Sequence, residues 1–248
     1  MEITIKDKRT NYLKEGSGTT TIMFVHGWGG NINSLMGLHN LAKTQYTSVI
    51  LDLPGFGSTD MPGENWGTNE YGEFLYGFTQ KLDLTNIIYV GHSFGGGLGI
   101  YLAANYPNLI SKLILIAPAF KRIRKTYNQV KNPLYKKMKK YLWPVRKAYY
   151  KIKYPGSEAL LFPQLEENFA KIVSQDLTDL VPRIQQKTLV LWGTRDHLTP
   201  IQNLEILKEK LPTAEFEVYQ DEGHAFPITK PEITYKEIQK FIGQDNVI

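Results

Sequence analysis

The sequence predicts an α/β chain built on a mostly parallel sheet flanked by helices. Three observations carry that reading. Short apolar runs rich in β-branched residues alternate with helix-length segments along most of the chain. One of those runs, Ile87-Ile88-Tyr89-Val90, ends at Gly91 and is followed by His92-Ser93-Phe94 and three glycines, which reads as a strand, a sharp turn and a helix. The alternation stops at Pro118 and resumes only at Thr188, so the intervening segment is an insertion into the sheet framework.

Taken in order, residues 2–6 and 10–14 read as short strands joined by a polar turn. Residues 20–25 form a stronger strand that ends at His26-Gly27-Trp28-Gly29-Gly30. A helix is expected over roughly 32–44. The next strand, 47–51, ends at Asp52-Leu53-Pro54-Gly55-Phe56-Gly57-Ser58. A polar loop leads to a helix near 69–83, then come the strand before Gly91, a helix at about 94–105 and a strand at 112–117. From about 120 to 181 the segments are helix-like, rich in Lys and Tyr, and interrupted by Pro133, Pro144, Pro155 and Pro163. The last strands are 188–192 and 215–219, each followed by a helix, near 201–210 and 232–242. The expected organisation is therefore a core of residues 1–119 and 182–248 with a helical cap at 120–181.

The chain has 248 residues, 42% of them hydrophobic, enough for one sizeable core. It has no cysteine, which rules out disulfides, cysteine-zinc sites and a thiol nucleophile. The first residues, Met1 to Asp7, lack a charged stretch followed by an apolar one, and no apolar run approaches the ~20 residues of a membrane span. A cytoplasmic location is the expectation. The net charge of +5 conceals an asymmetry: 13 of the 29 Lys and Arg residues fall between Lys121 and Lys153, where there is no Asp or Glu, and the other 16 face 24 acidic residues.

Open parallel sheets present their ligand sites at the carboxyl ends of their strands. Ser93, Asp196 and His224 each follow a predicted strand, in the chain order Ser, Asp, His. Gly91-His92-Ser93-Phe94-Gly95 fits a nucleophile elbow: a serine on so tight a turn is strained, and its neighbours two residues away need to be almost without side chains. Asp221 and Glu222 compete with Asp196 as the acid. Asp196 is favoured because it ends its own strand, whereas Asp221, three residues before His224, suits a turn or helix entry. His92 and His26 are read as structural, and Asp52 as a loop-fixing residue.

Five motifs in this order, His26-Gly27-Trp28-Gly29-Gly30, Asp52 to Ser58, Gly91 to Gly95, Trp192-Gly193-Thr194-Arg195-Asp196 and Gly223-His224, resemble the α/β-hydrolase superfamily, in particular its cap-bearing esterase, lactonase and peroxidase-like branch. The resemblance covers nearly the whole chain except the specific sequence of the cap. It implies an α/β-hydrolase fold with a helical cap insertion and a Ser-His-Asp triad: Ser93 as nucleophile, His224 as base and then acid, Asp196 as the group that holds His224. It also implies an oxyanion hole made by the backbone N–H groups of Trp28 and Phe94. Serine at position 93 argues against the family's haloalkane dehalogenases and epoxide hydrolases, which place Asp there. The absence of Asp and Glu from Lys121 to Ser157 argues against its aminopeptidases.

The expected reaction is hydrolysis of a carboxylic ester, of a short-to-medium acyl or aryl type, or of a lactone. C–C bond hydrolysis of a β-diketone-type substrate uses the same triad, and a slowly hydrolysing ligand receptor is the reading from another class. No cofactor is expected, and the five histidines show no metal-ligand spacing. Trp28, Tyr127 and Trp143 are candidate substrate contacts. The basic, tyrosine-rich cap reads most simply as a solvated helical face, with weak attraction to an anionic substrate or membrane surface as its functional reading. Nucleic acid is not an expected partner.

Overall fold

A computed structural model of the chain describes residues 1–121 and 162–243. Eight strands form one sheet: β1 (Glu2–Ile5), β2 (Lys8–Glu15), β3 (Thr21–Val25), β4 (Thr47–Leu51), β5 (Ile87–His92), β6 (Ile110–Ile116), β7 (Lys187–Gly193) and β8 (Glu215–Tyr219). Their spatial order is β1-β2-β4-β3-β5-β6-β7-β8. Only β2 runs against the others, pairing antiparallel with both β1 and β4; every pairing from β4 across to β8 is parallel. Among the described residues the α-helices are α1 (Met36–Ala42), α2 (Thr68–Lys81), α3 (Phe94–Asn105), α4 (Glu166–Ser174), α5 (Gln202–Lys210), α6 (Phe226–Thr229) and α7 (Pro231–Gly243).

The central strands are largely apolar because helices cover both of their faces. All six residues of β5 are buried. Ile87 and Tyr89 join the core that contains Phe74 and Phe78 of α2 and Leu98 and Leu102 of α3. Ile88 and Val90 join the opposite core with Leu38 of α1 and Ile238 and Phe241 of α7. This period-two division of one strand between two cores holds the sheet in register, since a slip of one residue would exchange the faces.

The structure departs from the sequence expectation in a few places. The segment expected as one helix over 32–44 opens as a 3-10 turn, Ile32–Leu35, and becomes α-helical only at Met36. Asn31 caps that turn, accepting from the Asn33 N–H, while the Ile32 N–H is taken by the Asp52 carboxylate at 2.7 Å. The strand expected at 112–117 starts two residues earlier, at Ile110. The short helix α6, directly after His224, was not expected. Of the segment expected as a cap, residues 162–181 are described: a 3-10 turn at Pro163–Leu165 followed by α4.

Candidate active site

Trp28, Ser93, Asp196 and His224 follow β3, β5, β7 and β8, so all four lie beyond the carboxyl ends of parallel strands. The chain leaves β3 in one direction to β4 and returns on its other side as β5. Ser93 and Trp28 flank that reversal, where open sheets form their ligand crevice.

Ser93 has φ 53° and ψ −113°, a backbone conformation that a non-glycine residue adopts only under constraint. The constraints are visible. The Ser93 N–H donates to the Ile116 carbonyl of β6 at 2.9 Å, and the Ser93 carbonyl accepts from Gly97 at 3.1 Å and Ala119 at 2.8 Å. A Cβ on Gly95 would stand 2.2 Å from the Val25 carbonyl oxygen, and one on Gly91 would stand 2.3 Å from the Gly95 oxygen. Those backbones therefore approach only because both positions are glycine. From below, the Tyr89 hydroxyl donates to the Gly95 carbonyl at 2.8 Å. Among the described residues nothing is hydrogen-bonded to the Ser93 hydroxyl. Phe94 is the first residue of α3, so its N–H is one of the helix-opening donors without an intrahelical acceptor.

His224 Nδ1 lies 2.7 Å from Asp196 Oδ2. The Asp196 side chain is completely buried and that of His224 keeps 13% of its surface exposed. Asp196 Oδ1 accepts from the Leu198 and Thr199 N–H groups, both at 2.9 Å, and Oδ2 also accepts from the Thr199 hydroxyl at 2.8 Å. Burial alone would push this carboxyl up. The hydrogen bond and charge of His224, together with the Thr199 donors, outweigh it and hold the group below the usual carboxylate value. An ionised Asp196 fixes the tautomer of its partner: Nδ1 carries the proton and Nε2 is left as the basic nitrogen. The competing acid Asp221 lies in an exposed turn with φ 63° and pairs with Arg195 at 2.6 Å, and Glu222 pairs with Lys230.

The other histidines hold the frame. His92 Nε2 donates to the His224 carbonyl at 2.9 Å, with the two rings 4.7 Å apart. Burial and the neighbouring His224 charge lower its pKa to about 3. His26 donates from Nδ1 to the Gly27 carbonyl at 2.7 Å and accepts at Nε2 from the Leu53 N–H at 3.0 Å, tying the loop after β3 to the loop after β4. Burial lowers its pKa to about 4. Asp52 accepts from Ile32, from Ser58 and from the Asn11 amide, which anchors both loops. Sequence reading missed two contributors, Thr199 and Tyr89. Asp196 closes an Asx turn on the Leu198 N–H two residues on, and Thr199, one residue later, adds its own N–H and hydroxyl, so a Thr three residues after an Asp is a signal for carboxylate capping.

Trp28 is nine-tenths buried. Its ring meets those of Phe56 at 4.9 Å, Phe169 at 5.1 Å and Phe94 at 5.9 Å, and Phe56 meets Phe162 at 5.2 Å. Phe162 and Phe169 come from the segment around α4, which is therefore packed directly on the loops that carry the site. Asn168 donates to the Gly63 and Trp66 carbonyls, and Lys171 pairs with Glu70 at 2.7 Å. Tyr127 and Trp143 lie outside the described residues. Among the described residues no cluster of His, Asp and Glu suits a metal ion, and no helix is long and apolar enough to cross a membrane.

The chain is 25% identical over 253 residues to the dihydrolipoyllysine-residue acetyltransferase component of the acetoin cleaving system of Cupriavidus necator, a match covering 95% of this chain and 67% of that protein. It is 26% identical to Lipase 1 of Psychrobacter immobilis, covering 82% of this chain and 70% of the lipase. A 2-hydroxy-6-oxononadienedioate/2-hydroxy-6-oxononatrienedioate hydrolase of Escherichia coli is 24% identical, with 88% and 85% covered. An uncharacterized protein of Mycobacterium tuberculosis is 31% identical over 114 residues, and that match spans only 33% of its length. Among solved structures, a bacterial membrane phospholipase A superposes with a TM-score of 0.80 at 22% identity, covering 100% of this chain and 86% of that one. The enol-lactonase from Burkholderia xenovorans LB400 superposes with a TM-score of 0.77 at 18% identity, covering 98% and 100%. The family model described as alpha/beta hydrolase fold matches residues 20–142 and 154–231. With the elbow, the strand order and that match in agreement, this chain is a member of the alpha/beta hydrolase fold family.

Proposed function

We propose that this hydrolase cleaves carboxylic esters, lactones included, with Ser93, His224 and Asp196 as its triad. The observation that carries the reading is the buried Asp196–His224 pair at 2.7 Å, which leaves the His224 Nε2 lone pair free at the carboxyl end of the sheet that also presents Ser93. In this mechanism the Ser93 Oγ attacks the ester carbonyl carbon while His224 Nε2 takes its proton. The N–H groups of Trp28 and Phe94 receive the oxyanion, and removing one such donor costs about 100-fold or more in rate. His224 then gives the proton to the departing alcohol oxygen, and the acyl group stays on Ser93. A water deprotonated by the same nitrogen attacks the acyl carbonyl, and the acid leaves with Ser93 restored.

The partner is a small molecule, and the aromatic surroundings of Trp28 suit a short-to-medium acyl or aryl group. The test is hydrolysis of p-nitrophenyl esters of increasing chain length by the wild-type chain and by Ser93→Ala. Turnover that disappears in the variant supports the reading, and turnover that survives in it removes Ser93 as nucleophile. A second reading, C–C bond hydrolysis, is favoured by the Escherichia coli relative, which covers most of both chains. Cleavage of a β-diketone-type substrate with inert esters would select it. Tight ligand binding with few turnovers would select a receptor.

A further inference from the structure

The Trp28 indole is packed among aromatic rings on the loop after β3, yet it carries a polar group that the described residues leave without a partner. Nε1 is fully buried and, among the described residues, has no hydrogen-bond partner. A buried N–H without an acceptor is uncommon, because the group gives up its water without replacement, and in a native fold each instance needs a reason. The rings around it belong to Phe56, Phe94 and Phe169. Ring faces are much weaker acceptors than an oxygen.

The position is what gives the group a use. A Cβ on Gly27, the residue before Trp28, would stand 3.0 Å from Ser93 Cβ, so this loop runs alongside the nucleophile. Phe94, whose ring touches the indole, is the residue after it. On the ester-hydrolase reading above, on which this inference rests, the substrate carbonyl is held at the Trp28 backbone N–H. The acyl chain then lies within one side-chain's reach of the indole of the same residue. We infer that the Trp28 Nε1–H is a specificity donor that selects acyl groups carrying an oxygen acceptor in the chain, such as an ether, keto or hydroxyl oxygen, over plain alkyl groups of the same length.

The acceptor is a neutral oxygen. The rings packed on the indole are those of Phe56, Phe94 and Phe169, and among the described residues no cation lies over it, so a carboxylate moved among those rings would lose its hydration without a charge to replace it. A site that offers a buried hydrogen bond discriminates against the analogue lacking it, because that analogue leaves the site's own polar group unpaired.

The experiment compares p-nitrophenyl hexanoate with analogues in which each internal CH2 in turn is replaced by an ether oxygen, on wild type and on Trp28→Phe. The ratio of kcat/KM for ether over alkyl is taken in each protein, and the wild-type ratio is divided by the variant's, which cancels the electronic activation of the ester. The expected quotient is about 10-fold at one oxygen position and close to one at the others, the size of one neutral hydrogen bond. In parallel, the primary amides of the same acyl groups are titrated calorimetrically into Ser93→Ala, which retains Trp28. One ether amide should bind more tightly than the alkyl amide, against its greater preference for water. That arm decides the matter if Trp28→Phe does not fold. Wild type that hydrolyses no ester while one ether amide still binds best sinks the ester reading and leaves the indole assignment standing. A flat quotient, with ether amides uniformly weaker than the alkyl amide, overturns the assignment and leaves the indole N–H held by the aromatic faces.

Discussion

Replacing Asp196 by Asn separates the role of its charge from that of its shape, and the structure dictates how the amide must sit. Oδ1 accepts two backbone N–H groups, from Leu198 and Thr199, each at 2.9 Å. An NH2 group there would face two donors, so the amide oxygen takes that place and the NH2 takes the place of Oδ2. It then lies 2.7 Å from His224 Nδ1 and 2.8 Å from the Thr199 hydroxyl. The hydroxyl proton turns to the Ala117 carbonyl at 3.2 Å, and every partner is satisfied. The four bonds to an ionised carboxylate become neutral ones, a loss partly offset because no charge is then buried, for a net cost of about 1–2 kcal/mol or a few degrees in Tm. The imidazole, however, must now accept at Nδ1 and carry its proton on Nε2, the tautomer that cannot deprotonate Ser93. The expected fall in kcat is ~10^4-fold, about 5.5 kcal/mol of barrier, with KM little changed. Steady-state ester hydrolysis reads the loss, thermal unfolding reads the fold, and 15N chemical shifts of the imidazole read the tautomer. A variant within tenfold of wild-type kcat, with the Nε2–H tautomer present, would refute the reasoning and return the acid role to Asp221 or Glu222.

Three further outcomes follow from the same geometry. Gly95→Ala places a methyl 2.2 Å from the Val25 carbonyl oxygen, so it should lower stability by several kcal/mol in denaturant unfolding, with activity lost alongside. His92 and His26 stay neutral in the folded chain down to about pH 3 and 4, whereas each takes up a proton near pH 6.5 once unfolded. The unfolded chain therefore binds more protons in that window, so Tm should be steady above pH 6.5 and fall as the pH drops below it, and His92→Gln should flatten the fall. The Lys171–Glu70 pair is about two-fifths exposed, so Lys171→Met should change stability by less than about 1 kcal/mol. Its effect should appear in KM, because Lys171 ties α4 over the loops of the site.

The features legible in the sequence were those written in local spacing. The elbow was readable because a serine with glycine two residues to either side follows an apolar run and is followed along the chain by Asp and then His, and the backbone contacts of Gly91 and Gly95 explain the need for the glycines. The parallel strands were readable because β5 and β7, buried on both faces except at Lys187, carry unbroken apolar runs at 87–90 and 189–192. Asp196 stood out over Asp221 because it closes a strand. What could not be read depends on residues far apart. The bond from His92 to the His224 carbonyl spans 132 residues, and nothing near His92 announces it. The 3-10 opening of the segment before α1 is set by the Asp52 carboxylate, which takes the Ile32 N–H from a different loop. The orphaned indole of Trp28 is likewise invisible in a motif that calls only for its backbone.

The hydrogen bond from His92 to the His224 carbonyl joins the loop of the proposed base, His224, to the strand that leads to the proposed nucleophile, Ser93. The two loops are thus fastened to each other through a strand whose six residues are all buried, so opening the His224 loop means breaking a bond to the sheet itself. Heat inactivation should then coincide with collapse of the whole domain instead of preceding it. Residual turnover after a heat pulse would count intact molecules, which makes the enzyme a faithful gauge of its own folded population.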